Sequence, residues 1–474
     1  MPKDVLRSFS SNIDFPDDII WEVSGMLARQ QRALETLRMC HTNSTDLFIA
    51  PSGFGEAGLG QLKHIECSSW DEIDISKTQP DKGLYTLRRP KLETLDLALY
   101  NLHPEDIREP SESDLAMATS GYLHRFLPHS QIASTLPQQS TCQSPESLFG
   151  ALQHLRLKDA CLGLPAAATM CEVFNIRQLK SLTLQYCDHI APLLQLLTTS
   201  GGLSLKHLVL VTDSMGSVPT STTKELLSSL VGSFSGLKTL VMDITQMGNP
   251  PLDVDTMPSV WAIGSHSATL EILCLDFGDE KYDLVHLHIL ARLLTRVQQL
   301  GLIFPAINLQ FVDLHDWGNP NYVFAASMKA IAALPRLVTL HIRRLPKTSW
   351  LQCHTPNTDP RNKITTDYLM QEASTKCMSE IFKSKPLRVL AWGGMADFLP
   401  GEDSSALQHH QSLAGEDHEC DGWSGIQVFA RSEKRDLIGG HSVVASVPNG
   451  RLKHYEPAVE ILSVIEPVDG FLRF

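Results

Sequence analysis

The sequence predicts an α/β solenoid in which each unit supplies one strand of a parallel sheet and one helix behind it. Three observations lead there. A short pattern, Leu-x-x-Leu-x-Leu, recurs along the chain and is clearest at Leu179-Lys-Ser-Leu182-Thr-Leu184-Gln-Tyr-Cys187. Its copies at Leu152, Leu179, Leu205, Leu237, Leu270 and Val297 start 27, 26, 32, 33 and 27 residues apart, the period of a unit that buries its apolar face only by stacking on its neighbours. Between copies lie stretches of helical period, best at 224–231 and 284–294.

Taken in order, residues 17–31 are predicted to form a helix, followed by strands at Leu34-Glu-Thr-Leu37-Arg-Met39, Leu62-Lys-His-Ile65-Glu-Cys67 and Leu92-Glu-Thr-Leu95-Asp-Leu97. Residues 102–148 read as an insertion. They hold Pro104, Pro110, Pro128, Pro137 and Pro145 with a polar tract at 138–144, and a helix is predicted over 115–127. The six regular copies come next, then Leu337-Val-Thr-Leu340-His-Ile342 and Leu387-Arg-Val-Leu390-Ala-Trp392, preceded by predicted helices at 325–334 and 368–382. The organisation expected is one irregular solenoid over 1–395 with about eleven strands, an acidic, His-containing linker or loop at 396–424, and a β-rich cap at 425–474. Strand-like runs in the cap fall at 426–430, 441–445 and 458–465.

Because successive strand side chains point to opposite faces, the second and third leucines of each copy point into the core and the residues between them point away. The outward set is a candidate partner-binding face: His154, Arg156, Lys158, Ser181, Thr183, Gln185, His207, Val209, Val211, Thr239, Val241, Asp243, Ile272, Asp276, His341 and Arg343. An apolar centre is expected around Val209, Val241 and Ile272, with charged flanks at Arg156/Lys158 and Asp243/Asp276. Such a mixture suits a protein partner. A net charge of −13 opposes phosphate backbones and anionic membranes, so no nucleic acid or membrane partner is expected.

No apolar run of signal-peptide length opens the chain and none approaches 18 residues, so the expectation is a cytoplasmic or nuclear protein without leader or membrane span. The ten cysteines are scattered, as for reduced structural thiols. No catalytic, cofactor-binding or metal-ligating set is expected. Gly53-Phe-Gly-Glu-Ala-Gly58 spells GxGxxG, yet the strand at Leu62 leaves no room for the helix a dinucleotide needs. His409, His410, His418 and Cys420 match no zinc spacing, and His286 and His288 fall within a leucine-rich helical stretch.

The copies resemble those of leucine-rich repeat proteins over most of 34–392, with Cys187 at the ladder position and Asp213, Thr245, Gly278 and Pro305 as departures from it. The resemblance implies a ribonuclease-inhibitor-like horseshoe with a concave parallel sheet and convex helices. The loose, insertion-prone style is similar to the repeat region of F-box and leucine-rich repeat proteins of fungi. Phe15-Pro16 followed by Ile19, Val23 and Leu27 is similar to the start of an F-box. An F-box needs about twice the length available before Ala33, which leaves 1–31 open between a degenerate F-box and a repeat helix. The resemblance implies a non-enzymatic protein-binding scaffold, the substrate-recognition part of a ubiquitin ligase receptor that docks on a ligase adaptor. The alternative it carries is a regulatory repeat protein acting on a small GTPase.

Overall fold

The computed structural model describes residues 5–11, 31, 33–40, 61–68, 91–98, 149–212, 220–244, 257–278, 281–305, 322–343, 360–383, 386–393, 427–435, 442–447 and 461. The fold is α/β, with fourteen strands and seven helices among these residues. The chain divides into two compact units, Met1–Leu237 with Gln246–Pro258, and Lys238–Thr245 with Ser259–Phe474. The insertion at 102–148, the linker at 396–424, the F-box-like residues 15–27 and the predicted helix at 115–127 lie outside the described residues.

In the first unit seven strands pair in chain order, all parallel: β1 (Ser8–Ser11), β2 (Thr36–Cys40), β3 (His64–Ser68), β4 (Thr94–Ala98), β5 (His154–Lys158), β6 (Ser181–Gln185) and β7 (His207–Thr212). Parallel strands require a crossover, supplied here by helices α1 (Leu164–Val173) and α2 (Ala191–Ser200), while α3 (Thr220–Gly232) follows β7. A proline near the start of α1 and another near the start of α2 supply a pre-set φ where no helical N–H is needed. The register places Leu155, Leu182 and Leu208 side by side, and all three are buried. A backbone motif recurs beneath this row. The carbonyl two residues before each copy's second apolar position accepts two N–H groups of the next copy: Glu35 O from Lys63 and His64, Lys63 O from Glu93 and Thr94, and Gln153 O from Lys180 and Ser181.

The second unit holds β8 (Thr239–Ile244), β9 (Ile272–Asp276), β10 (Gln299–Leu302), β11 (Thr339–Ile342) and β12 (Val389–Trp392), again parallel and in order. Its helices are α4 (Val260–Gly264), α5 (Leu284–Leu293), α6 (Tyr322–Ile331) and α7 (Pro360–Lys376), the last continuing into a π turn at Cys377–Ile381. Asp283 caps α5, its carboxylate accepting the His286 N–H at 2.7 Å. The same carbonyl motif returns, with Lys238 O, Glu271 O, Gln298 O and Val338 O each accepting two N–H groups. Leu240, Leu273, Leu300, Leu340 and Leu390 form the buried row. Trp392 closes the helix side, stacking on Phe324 at 6.0 Å and donating its indole N–H to Ser374 Oγ at 2.8 Å. Two antiparallel strands, β13 (Gln427–Arg435) and β14 (Ser442–Ser446), then extend the sheet, and Gln371 of α7 donates to Val444 O at 2.6 Å.

All eleven stretches expected to be strands carry one. Beyond them, β1 was not expected, because Ser8-Phe-Ser-Ser11 offers a single large apolar residue. Helices α1, α2 and α4 also lack a strong periodic signal in sequence. In the 425–474 region two of the three strand-like runs are β13 and β14, whereas Ile461, within the third, is helical.

Candidate functional site

Alternation gives each unit a leucine face toward its helices and a second face carrying the candidate residues. The expectation was that all of these would look outward, and the two units treat them differently.

On the first unit the second face is polar and partly open. His154 is exposed, and Arg156, Lys158, Ser181, Thr183 and His207 are half-buried. Arg156 is the hub. Its Nη1 lies 3.3 Å from Asp96 Oδ2 on β4, and its Nε and Nη2 reach Gln185 Oε1 on β6 at 3.1 and 2.6 Å. Arg38 and Glu66 pair one step earlier at 2.9 Å. Lys158 lies 3.7 Å from Asp159 Oδ2 and 5.7 Å above the Tyr186 ring. Burial pushes the Asp96 carboxyl up to about 6, against the pull of the Arg156 guanidinium. Gln185, Val209 and Val211 are buried, so the apolar centre expected at Val209 is not presented to solvent.

Where the strands of this face end, three non-glycine residues take left-handed backbone: Asp159, Tyr186 and His189, with φ of 54°, 52° and 53°. The conformation costs about 1 kcal/mol or more each. What offsets it is continued pairing, with the Asp159 N–H donating to Gln185 O at 2.9 Å and the Tyr186 N–H to Val211 O at 2.6 Å. The turn also sets Tyr186 under Lys158. Beside it, Cys187 is fully buried, its thiol within 3.5 Å of Leu157 O, and burial raises its pKa to about 12. Such a thiol is structural and unreactive.

On the second unit the corresponding face is sealed. Thr239, Val241, Asp243, Ile272, Asp276, His341 and Arg343 are all buried, so the expectation that they are displayed to solvent is corrected. Asp243 and Asp276 are not an open charged flank either. Arg343 Nε lies 2.9 Å from Asp276 Oδ2, and Arg343 Nη2 bonds Asp243 Oδ2, which joins β11 to β9 and β8. A guanidinium held between two carboxylates is the form in which buried charge is tolerable. Next to it, His341 is wholly buried, with Nε2 2.6 Å from Gly393 O. Since a carbonyl only accepts, Nε2 carries the proton and Nδ1 is an acceptor, and no described residue donates to it. Burial, then the Arg343 charge, push the His341 pKa down to about 3, so the ring is neutral.

Part of the seal is a residue far away in sequence. Ile461 is fully buried and its N–H donates to Gln299 Oε1 at 2.8 Å. Its Cδ1 would lie 3.3 Å from a Cβ on Gly301, and Cys274 Sγ only 2.5 Å away. Sequence reasoning missed both Ile461 and the Arg343 cluster. One signal for the former was available: Gly301 interrupts a strand copy, and glycine inside a strand marks close approach of another part of the chain.

Among the described residues no three His, Cys, Asp or Glu side chains stand ready to hold a metal, and no helix is long and apolar enough to cross a membrane. The GxGxxG glycines and the His409, His410, His418 and Cys420 group lie outside the described residues. The arrangement defines a class, an α/β chain of mostly parallel strands with one open polar face and one sealed face. Comparison with family models and with curated proteins finds no match for it.

Proposed function

We propose that the chain is a non-enzymatic scaffold of the leucine-rich repeat type that binds a protein partner on the second face of its first unit. The observation that carries this reading is the placement of His154, Arg156, Lys158, Ser181, Thr183 and His207 on three consecutive paired strands, partly open to solvent and backed by fully buried leucines. A rigid sheet holds these groups in fixed register, so recognition does not require ordering a loop first. The hydrogen bonds of Arg156 to Asp96 and Gln185 orient its guanidinium, which favours bidentate recognition of a carboxylate. In its finer form the reading is the substrate-recognition part of an F-box-type ubiquitin ligase receptor, acting in cytoplasm or nucleus. Similarity of style and the Phe15-Pro16 segment support that form.

The test is affinity capture from native extract with the full chain and with Arg156→Glu/Lys158→Glu. Recovery of a cullin-ligase adaptor together with a second protein, the second lost at least ten-fold in the double variant while its circular dichroism is unchanged, is the expected result. Unchanged recovery of that protein would remove the face from consideration. Stimulation of GTP hydrolysis by a captured GTPase would favour the regulatory alternative.

A further inference from the structure

The charges of the first unit are sorted by strand. On β2 to β4 the second face and the residues just before it hold Glu35, Glu66, Glu93 and Asp96 against Arg38 and Lys63. Most of these ions answer one another: Glu35 pairs with Arg7 and Lys63 at 3.0 and 3.1 Å, and Arg38 with Glu66 at 2.9 Å. On β5 to β7 the equivalent positions hold Arg156, Lys158, Lys180 and Lys206 and no carboxylate. Arg156 takes its counter-charge from Asp96 on β4, and Lys158 lies beside Asp159 past the strand end. Lys180 and Lys206 differ. Both are exposed, Lys180 Nζ donates to the neutral amide of Gln153 at 2.6 Å, and neither makes an ion pair among the described residues.

The carbonyl motif fixes where these two lysines stand. Gln153 O accepts the Lys180 N–H at 2.7 Å and Lys180 O the Lys206 N–H at 2.7 Å, which sets them on neighbouring strands at one level. At that level the face is most open. His154 beside it is exposed, and Ser181 and His207 are half-buried, whereas Gln185, Val209 and Val211 further along are buried. The charge of Lys180 reaches the face itself: burial, then Lys180 and His64, hold the His154 pKa below its ordinary value against the pull of Glu93. Two exposed cations without a counter-charge at an open edge draw an anion at short range, although the whole chain carries −13.

We propose that the open edge of β5 to β7 takes an extended acidic segment of the protein partner, with Lys180 and Lys206 as its carboxylate contacts and Arg156 behind them. The inference rests on the scaffold reading of this face and names the chemistry of what it binds. Strands stand about 4.8 Å apart and an extended chain advances about 3.4 Å per residue, so about three residues cross from β5 to β7. Alternate residues of such a segment face the sheet, which calls for Glu or Asp at every second position. A small cationic edge on an acidic molecule suits a short acidic segment and disfavours a long polyanion, whose outer charges the rest of the chain repels.

The probe is a fluorescein-labelled peptide with the core Glu-Ala-Glu-Ala-Glu, followed by anisotropy with the full chain at low salt. Saturable binding is expected, and its loss when glutamine replaces each glutamate. Lys180→Gln/Lys206→Gln is expected to weaken binding roughly ten-fold, as two exposed charge contacts together provide. Lys180→Arg/Lys206→Arg is expected to stay within two-fold. Lys91→Gln removes one like charge before β4, where the ammonium donates to Gln61 Oε1 at 2.6 Å, and is expected to change binding less than two-fold. The proposal is overturned by absence of saturable binding, by equal weakening in Lys91→Gln, or by an oligothymidylate that binds as tightly through the same two lysines. Capture of a partner that depends on Arg156 and Lys158 but not on Lys180 and Lys206 would also overturn it, and would leave the scaffold reading standing. Peptide binding through the two lysines with no partner captured would do the reverse.

Discussion

The two units use the same strand pattern and put it to opposite uses. In the first, the residues between the leucines form a row of half-buried charges, Arg38 with Glu66 and Asp96 with Arg156, whose pairing is shared with water. In the second, an arginine and two aspartates, two residues further along the same face, are removed from water together. The backbone scaffold, including the carbonyl that accepts two N–H groups from the next copy, is common to both. What differs is the cover. An uncovered face keeps its charges adjustable and suits binding, whereas a covered face must neutralise every charge internally and becomes part of the structure.

The sharpest way to break this contrast is to remove one arginine from each face. Arg343→Met leaves Asp243 and Asp276 buried beside each other without their counter-charge, and the expected loss is about 3–5 kcal/mol in the second unit. Arg156→Met removes a partly exposed pair, and the expected loss is about 1 kcal/mol or less in the first. Hydrogen exchange at the amides of β11 and β4, followed against urea, reads the units separately. Equal losses would mean that the faces are not energetically distinct. Replacing Arg343, Asp243 and Asp276 together by Met, Leu and Leu should restore most of the lost stability, since the penalty lies in the orphaned carboxylates.

The leucine rows were legible because period and burial enforce each other. A one-residue shift would turn Leu155 and Leu157 to the other face, so their spacing alone reports the register. The second face was legible only as a set of positions. Whether Asp243 meets solvent or Arg343 depends on a residue one hundred positions later, and no local pattern encodes that pairing. The cover was hidden for the same reason. Ile461 sits in an apolar run that reads as a strand, and its place comes from Gln299 on a strand 162 positions earlier, whose amide oxygen accepts its N–H. Asp96 reads in sequence as an outward position, because aspartate between two leucines looks like an ordinary solvated one, and its partial burial comes from neighbouring strands.

A second experiment sharpens the contrast through pH. His341 is neutral when folded and its pKa lies near 3, below the ordinary histidine value of 6.5. From pH 6.5 downward the unfolded chain therefore binds a proton that the folded chain refuses. Stability contributed by this group is full above pH 6.5 and is lost as pH falls toward 3. At 1.36 kcal/mol per pH unit the loss by pH 4.5 is on the order of 2–3 kcal/mol. His341→Gln keeps a donor for Gly393 O and does not titrate. Its second unit should lose less stability between pH 7 and 4.5 than that of wild type by that amount, read from β11 amide exchange; parallel pH profiles would contradict the burial argument.

Asp96 on the first unit carries the opposite sign and the smallest effect. Its folded pKa, about 6, lies above its ordinary value of 3.8, so between pH 6 and 4 the folded chain holds the extra proton and this group's contribution to stability grows as pH falls. The same proton changes the face. With Asp96 neutral, Arg156 keeps Gln185 but loses its counter-charge, and the row from Arg156 to Lys158 becomes more cationic. Binding of a Glu-rich probe peptide to wild type is therefore expected to tighten about two- to five-fold between pH 7 and 5.5, as one exposed charge pair is worth roughly 1 kcal/mol or less. Asp96→Asn imitates the protonated carboxyl and should bind at pH 7 as wild type does at pH 5.5, with little further change on acidification. Since every other titrating group is common to both chains, fluorescence anisotropy across the pH range isolates this one. Equal pH dependence in the two chains would place the probe elsewhere than on Arg156.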